Sequence, residues 1–265
     1  MGKASKYASK VPDENGYIHY TDEENDVWRE LITRQKPMLA GRVCQEYLDA
    51  LELMNFPEDR VPQTEEVSRV LREHTGWEVA AVPALINFTR FFDLLADKRF
   101  PCATFIRSRE EMEYLQEPDI FHEVFGHTPL LTHPSFAEFT HAYGLAGQKA
   151  PKELRPMLAR LYWFTVEFGL IGNSDADRRA YGAGLCSSIG ELKWAVESGE
   201  PEIRPFDPID ILRTPYRIDI FQPVYFRIES FDDLFRLAHE DVFALIDRAK
   251  ALGMHAPKFP EKESA

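Results

Sequence analysis

The sequence predicts a mainly α-helical fold, α+β only in the sense of carrying a minor β component. Apolar residues recur at helical spacing through most of the first third, a later helical stretch becomes apolar on every side, and strand signals are confined to a few short runs. No shift in composition marks an internal boundary, so residues 13–255 are expected to form a single domain, after a disordered lead-in over 1–12 and before a loose tail over 256–265. A hydrophobic content of 44% with 12% aromatics is enough for a substantial core.

Each element has a local reason. Thr21-Asp-Glu-Glu24 has the form of a capping box, and Val27, Trp28, Leu31 and Ile32 follow on one face until Pro37 ends or kinks the helix. Val43, Tyr47, Leu48, Leu51 and Met54 repeat the period, as do Val67, Val70 and Leu71, which stop near His74-Thr-Gly76. Trp77 to Val82 is a short β-branched run broken by Pro83, and a helix with Phe91, Phe92, Leu94 and Leu95 is predicted from about Asn87. Residues 102–107 read as a strand ending in the cation Arg107, and Ser108-Arg-Glu-Glu111 starts a short helix. An ordinary helix is expected over 134–147 and a long one over 151–170, buried in its later half. Ser188-Ile-Gly-Glu191 resembles another capping box, for a helix to about Val196, and 201–215 is a long Pro-rich connection. The clearest strands are 217–221 and 224–228, on either side of Gln222-Pro223. Ser230-Phe-Asp-Asp233 then opens a final helix with Leu234, Leu237, Phe243 and Ile246, stopping near Gly253.

Charge and cysteine usage narrow the function classes. A net charge of −13, with acids and bases interspersed, opposes nucleic acid and anionic membranes while leaving small zwitterionic substrates compatible. Cys44, Cys102 and Cys186 are odd in number and widely spaced, matching neither a disulfide framework nor a zinc motif, so a cytoplasmic setting is expected. No leader-like apolar region and no stretch of ~20 apolar residues is present.

The densest chemistry lies in Pro118-Asp-Ile-Phe-His-Glu-Val-Phe-Gly-His127, with two imidazoles and two carboxylates among apolar residues. His122 and His127 are suited to Fe, Zn or Cu. Their spacing is His-Glu-x-x-x-His, one residue longer than the metalloprotease pattern, which excludes a simple zincin. On a regular α-helix five residues turn the second ring by roughly 140° from the first. The pair can share a metal only if the helix widens into a π-type turn or breaks near Gly126; otherwise they are two hydrogen-bonded core histidines. Forty residues on, Leu161-Tyr-Trp-Phe-Thr-Val-Glu-Phe-Gly-Leu170 holds one carboxylate, Glu167, in a nearly continuous apolar run. Buried there, it is expected to be protonated, paired or metal-bound. Two His and one carboxylate form the facial triad of non-haem Fe(II) oxygenases.

These two stretches, together with Tyr181-Gly-Ala-Gly-Leu-Cys-Ser-Ser188, closely resemble the catalytic domain of the tetrahydropterin-dependent aromatic amino acid hydroxylases, from about Tyr20 to about residue 250. The resemblance implies that family's basket-like fold, with Fe(II) on His122, His127 and Glu167, a tetrahydropterin cofactor and O₂ as co-substrate. It implies pterin contacts from Val82, Ala84, Leu85, Ile86, Phe91, Glu123 and Tyr162, with Phe91 stacking on the ring and Glu123 supporting the pterin without binding iron. Arg107, held by Asp119, is implied to receive the substrate carboxylate, and Trp163, Phe168, Gly184, Ser187 and Ile218 to line the substrate pocket, with Ser187 hydrogen-bonding the substrate. Ala84 stands where relatives often have Gly, and Leu115 where animal enzymes have Thr. His133 and His141 match no family ligand and are expected to be structural. The large indole of Trp163 and the apolar Ile218 favour L-phenylalanine over tryptophan or tyrosine. The alternatives are a tryptophan or tyrosine hydroxylase of the same family, or a zinc hydrolase with Glu123 as base. Larger members add a regulatory domain and a tetramerising coiled coil, for which 265 residues leave no room, so a monomer or weak dimer is expected.

Overall fold

Thr21 opens the first helix by the reciprocal bonds its spacing suggests: its hydroxyl accepts from the Glu24 N–H, and the Glu24 carboxylate accepts from the Thr21 N–H. The computed structural model describes residues 7–113, 115 and 117–260. Helix α1 (Asp22–Leu39) buries Val27, Trp28, Leu31 and Ile32 and continues two residues past Pro37, because a proline in the last turn removes only one backbone bond. Helices α2 (Gln45–Met54) and α3 (Thr64–His74) follow, the latter held at its start by Gln63 and Glu66.

Next comes a parallel crossover of β1 (Glu78–Val82), α4 (Phe88–Ala96) and β2 (Arg99–Ala103), with Glu78 opposite Arg99 and Val82 opposite Ala103. The strand expected over 102–107 therefore lies earlier and stops at Ala103. From Thr104 on, the chain is engaged by the N-terminal segment: the Thr104 N–H donates to Ser9 Oγ at 3.0 Å and Tyr20 Oη donates to the Thr104 carbonyl at 2.8 Å. Tyr7 stacks on Phe105 with ring centroids 4.6 Å apart, so the lead-in is tied down from residue 7 on; residues 1–6 lie outside the described residues.

Helix α5 (Pro134–Lys149) packs against α4. The single helix expected over 151–170 is instead four pieces: a 3₁₀ turn (Lys152–Leu154), α6 (Arg155–Tyr162), a π-helical turn (Trp163–Glu167) and strand β3 (Leu170–Ile171). β4 (Arg179–Ala180), α7 (Ala183–Cys186) and α8 (Ile189–Glu197) follow. Ser188 accepts from the Glu191 N–H at 3.4 Å, but Glu191 does not complete a capping box. Its carboxylate turns inward and accepts from the Gln222 N–H at 2.8 Å and from Tyr225 Oη at 2.6 Å.

The expected connection over 201–215 contains β5 (Glu202–Pro205) and α9 (Pro208–Arg213), and β6 (Val224–Ile228) completes a sheet of order β4-β3-β6-β5. β3 runs antiparallel to β4 and parallel to β6, which is also parallel to β5. Residues 217–221 are not a strand. The Gln222 amide captures the Arg217 and Ile220 carbonyls at 2.8 and 2.9 Å, and Arg217 pairs with Asp219, which bends the segment. The final helix is two, α10 (Phe231–Ala238) and α11 (Val242–Leu252), because Asp241 caps a new start by accepting from the Phe243 and Ala244 N–H groups. The tail is fastened as far as 260: His255 donates its N–H to the Arg213 carbonyl at 2.9 Å, and Arg217 lies over Phe259 and donates to the Pro260 carbonyl at 3.1 Å. Among the described residues, no helix is long and apolar enough to cross a membrane.

The main core closes around the histidine segment, with Ile120, Phe121, Val124 and Phe125 fully buried in it. Most of the packing is made by regular helices, while the groups with chemistry sit on the irregular turns.

Candidate metal centre

The five-residue histidine spacing is accommodated by a π-helical turn over Phe121–His127. Widening the helix brings residues five apart onto one side, and the His122 and His127 Nε2 atoms lie 3.0 Å apart with their rings edge-on. A second π-helical turn, closed by the Phe168 N–H donating to the Trp163 carbonyl at 2.9 Å, delivers Glu167. Its carboxylate oxygens lie 3.2 Å from His127 Nε2 and 3.5 Å from His122 Nε2. Helix α7 packs against both turns. A Cβ on Gly126 would stand 2.9 Å from the Ala183 carbonyl oxygen, and one on Gly184 would stand 2.7 Å from the Phe168 ring, so both positions require glycine.

The surrounding hydrogen bonds suit one tautomer of His122. Ser187 Oγ donates to the Ala183 carbonyl at 2.8 Å, so it accepts from His122 Nδ1 at 2.9 Å, and this network assigns the lone pair to His122 Nε2. Ser187 thus orients a histidine, and only its remaining lone pair is left for a substrate. Burial pulls the His122 imidazole down to about 4, so it is neutral near pH 7. Burial pushes the Glu167 carboxyl up, but the two histidines, His127 foremost, outweigh it and leave the net shift downward.

An anionic carboxylate facing two imidazole nitrogens, at least one bearing a bare lone pair, is an electron-rich trio that suits a shared cation. Bonds of about 2.0–2.1 Å to one ion put adjacent donor atoms about 3.0–3.4 Å apart, close to the three separations found here. The donor set is one that iron accepts. Glu123 also has an oxygen within 4.8 Å of the histidine ligand atoms. Burial, and then the charges of Glu167 and Asp119, push its carboxyl well above the usual range. The shorter approach of Glu167 makes it the better third ligand. His133 caps α5 beside Phe231 and His141 sits on α5 facing the Leu95 carbonyl, both apart from the cluster.

Around this centre the other predicted residues fall into three groups. Arg107 and Asp119 form a buried two-point pair, Nε to Oδ2 at 2.8 Å and Nη2 to Oδ1 at 2.9 Å. Asp119 also accepts from the backbone N–H groups of Arg107 and His122, tying the chain after β2 to the histidine turn. Burial opposes its charge, but Arg107 and these hydrogen bonds hold the carboxyl below its usual value. Of the five guanidinium donors two are spent on Asp119, and three remain for a planar anion.

The second group is the 82–91 segment. Val82 and Ala84 are buried, Leu85 is half exposed, Ile86 packs on the cluster of Ala80, Val82 and Leu94, and Ala84 rests with Ala103 and Phe105. Phe91 meets the Tyr162 ring edge-on at 5.5 Å, and Tyr162 stacks 6.3 Å from His127, so the aromatic contacts run from this segment to the metal ligands.

The third group is the wall. Trp163 lies 4.5 Å from Phe168 and stacks on Tyr216 at 4.5 Å, while its indole N–H donates to Gln222 Oε1 at 3.1 Å. Ile218 is 65% exposed on the bent segment rather than on a strand closing the pocket, for the carbonyl-capture reason given above. Tyr216, Gln222 and Glu191 were not predicted as site residues. Only the Gln222-Pro223 interruption between two strand-like runs hinted at them.

Comparison with known proteins is consistent in family and in fold. A family model described as biopterin-dependent aromatic amino acid hydroxylase matches residues 3–248. A phenylalanine-4-hydroxylase of Pseudomonas aeruginosa is 55% identical over 263 residues, covering 99% of this chain and 100% of the relative. The apo structure of the cold-active phenylalanine hydroxylase of Colwellia psychrerythraea matches with a TM-score of 0.94 at 53% identity, covering 98% of this chain and 100% of that one. The Chromobacterium violaceum phenylalanine hydroxylase with bound oxidised Fe(III) matches with a TM-score of 0.87 at 42% identity, covering 93% of this chain and 89% of that one.

Proposed function

The chain belongs to the biopterin-dependent aromatic amino acid hydroxylases, and from that premise we propose that it converts L-phenylalanine to L-tyrosine with O₂ and a reduced pterin, using iron held by His122, His127 and Glu167. The observation that carries the residue assignment is the convergence of these three donors within 3.0 to 3.5 Å of one another. When bound, iron and reduced pterin together supply the O₂ activation and the two electrons that ring hydroxylation requires.

The chain's own residues bind, orient and exclude water. Arg107 receives the substrate carboxylate on its three remaining donors, and Asp119 fixes the plane of that fork. Trp163 and Phe168 press on the substrate ring, with Trp163 kept in place by Gln222 and Tyr216. Phe91 and Tyr162 offer the aromatic surface for the pterin, with Val82, Ala84, Leu85 and Ile86 as its backbone cradle. Glu123, held neutral by its surroundings, donates its proton in a hydrogen bond to the pterin. The fully buried rings of Phe121 and Phe125 back the ligand-bearing turn and keep bulk water from it.

Substrate choice rests on the wall, where the Trp163 indole occupies space that a substrate indole would need. A competition assay with equal concentrations of phenylalanine, tyrosine and tryptophan tests it. Tyrosine is the expected main product, formed only with tetrahydropterin and iron. Predominant 5-hydroxytryptophan or dihydroxyphenylalanine would overturn the substrate, and absence of pterin-dependent O₂ uptake would overturn the chemistry.

A further inference from the structure

An open cleft of about 480 Å³ lies beside the proposed pterin site, lined by Lys152, Arg155 and Arg160 and flanked by the Phe88 and Tyr216 rings. Its position follows from helix geometry. Phe88 on α4 and Ala159 on α6 both line the cleft, and three residues later on the same two helices stand Phe91 and Tyr162, whose rings touch. Residues three apart on a helix are neighbours on one face, so the cleft is about one helical turn, roughly 5 Å, from the aromatic pair. Tyr216 links the cleft to the substrate wall, since it borders the cleft and stacks on Trp163.

The charge of the cleft is unusual for this chain. The net charge is −13, yet none of these three cations has a carboxylate partner among the described residues. Among the described residues Arg155 reaches only the Thr89 hydroxyl, at 3.3 Å, and its Nε is buried with no hydrogen-bond partner there. Arg160 reaches, among the described residues, only the Leu212 carbonyl, at 3.4 Å. Both guanidinium groups are half-buried and under-used, and a buried donor without an acceptor is costly to keep.

Resting on the pterin assignment above, we propose that this cleft is an anion subsite that receives a negatively charged side chain on the pterin itself, carboxylate or phosphate, so that the protein prefers pterins with an acidic tail over neutral ones. The pterin ring would lie on Phe91 while its tail follows Phe88 and Ala159 to Arg155 and Arg160, with Lys152 at the rim. Phe88 and Tyr216 supply apolar surface for the intervening atoms.

Calorimetry on the iron-loaded protein without O₂ tests this by binding alone. The matched probes are 7,8-dihydroneopterin, which is neutral, its triphosphate, and 7,8-dihydrofolate, which carries a carboxylate tail. At least one acidic probe should bind about 10-fold tighter than dihydroneopterin, in line with one or two charge-assisted hydrogen bonds, and which one does so separates phosphate from carboxylate recognition. In Arg155→Gln with Arg160→Gln that gain should vanish, while the affinity for dihydroneopterin stays within about 2-fold, which also reports that the variant is folded. Equal affinities for all three probes, or a gain that survives the double substitution, would overturn the proposal. So would inorganic tripolyphosphate binding as tightly as the acidic pterin without competing with dihydroneopterin, which would mark a free-anion site. Failure of dihydroneopterin to bind, or its indifference to Phe91→Ala, would instead overturn the pterin assignment itself.

Discussion

Along α5 the apolar residues stay at regular helical spacing, and of Phe136, Phe139, Tyr143 and Leu145 the first three are buried while Leu145 is exposed. Along Phe121–His127 and Trp163–Glu167 the helix widens, and each widened turn points imidazole or carboxylate groups toward a common centre among fully buried aromatic rings. The first kind of segment satisfies packing and backbone bonding together. The second gives up helical regularity to place ligands, and irregular helical turns persist where the displaced side chains have a use. Damage to the two kinds should therefore be separable, in stability for one and in metal and substrate for the other.

The largest effect is expected at the ligands. His122→Ala or His127→Ala should lower tyrosine formation by more than about 100-fold, beyond what the loss of an outer partner causes, and should empty the iron site in metal analysis. The circular dichroism spectrum should stay close to that of the parent. Stoichiometric iron in either variant would mean that the widened turns serve packing after all.

Arg107→Lys should come next. Losing the planar fork removes charge-assisted hydrogen bonds to the substrate, so KM for phenylalanine should rise about 10- to 100-fold while KM for the pterin changes less than about 2-fold. Equal rises for both would show that Arg107 acts by holding the fold.

The regular region is probed by Gly144→Ala. An added Cβ would sit 2.5 Å from the Ala96 backbone nitrogen and 2.6 Å from the Leu95 carbonyl carbon, where neither can move freely. Overpacking of this kind costs about 1–3 kcal/mol, visible in urea unfolding, with iron per chain unchanged. Iron lost in step with stability would dissolve the contrast between the regions.

The smallest effect concerns the wall network. Burial raises the Glu191 carboxyl even though Tyr225 and Gln222 donate to it. A raised folded-state value means that the folded protein keeps a proton that the unfolded chain releases. That contribution is full below the unfolded value, near 4.5, and is lost as pH rises through the folded value. Glu191→Gln has no such proton to lose, so its stability relative to the parent should improve as pH rises from the unfolded value through the folded one. Parallel stability curves for the two proteins as pH rises would contradict the assignment.

What was legible in the sequence was local. Capping at Thr21 and Ser230 needs only residues three apart, and both boxes form. The histidine spacing carried a conditional message, that a shared metal requires a widened turn, and the widening is there. Residues 217–221 have strand-like composition, but their carbonyls are taken by the Gln222 side chain, an outcome that alternation cannot encode. Ser188 three residues ahead makes Glu191 resemble a cap, whereas its partners Gln222 and Tyr225 lie more than thirty residues away. The partners of Trp163 were hidden for the same reason, since both Tyr216 and Gln222 reach it across the fold.

The metal assignment is tested by iron per chain after anaerobic loading and dialysis, measured side by side in Glu167→Gln and Glu123→Gln. Glu167 approaches both histidines within 3.5 Å and is held in its charged form, whereas Glu123 is pushed toward its neutral form by burial and by neighbouring carboxylates. Glu167→Gln should lose its iron, and Glu123→Gln should keep close to one per chain with weakened pterin binding. Iron retained in Glu167→Gln and lost in Glu123→Gln would contradict that assignment.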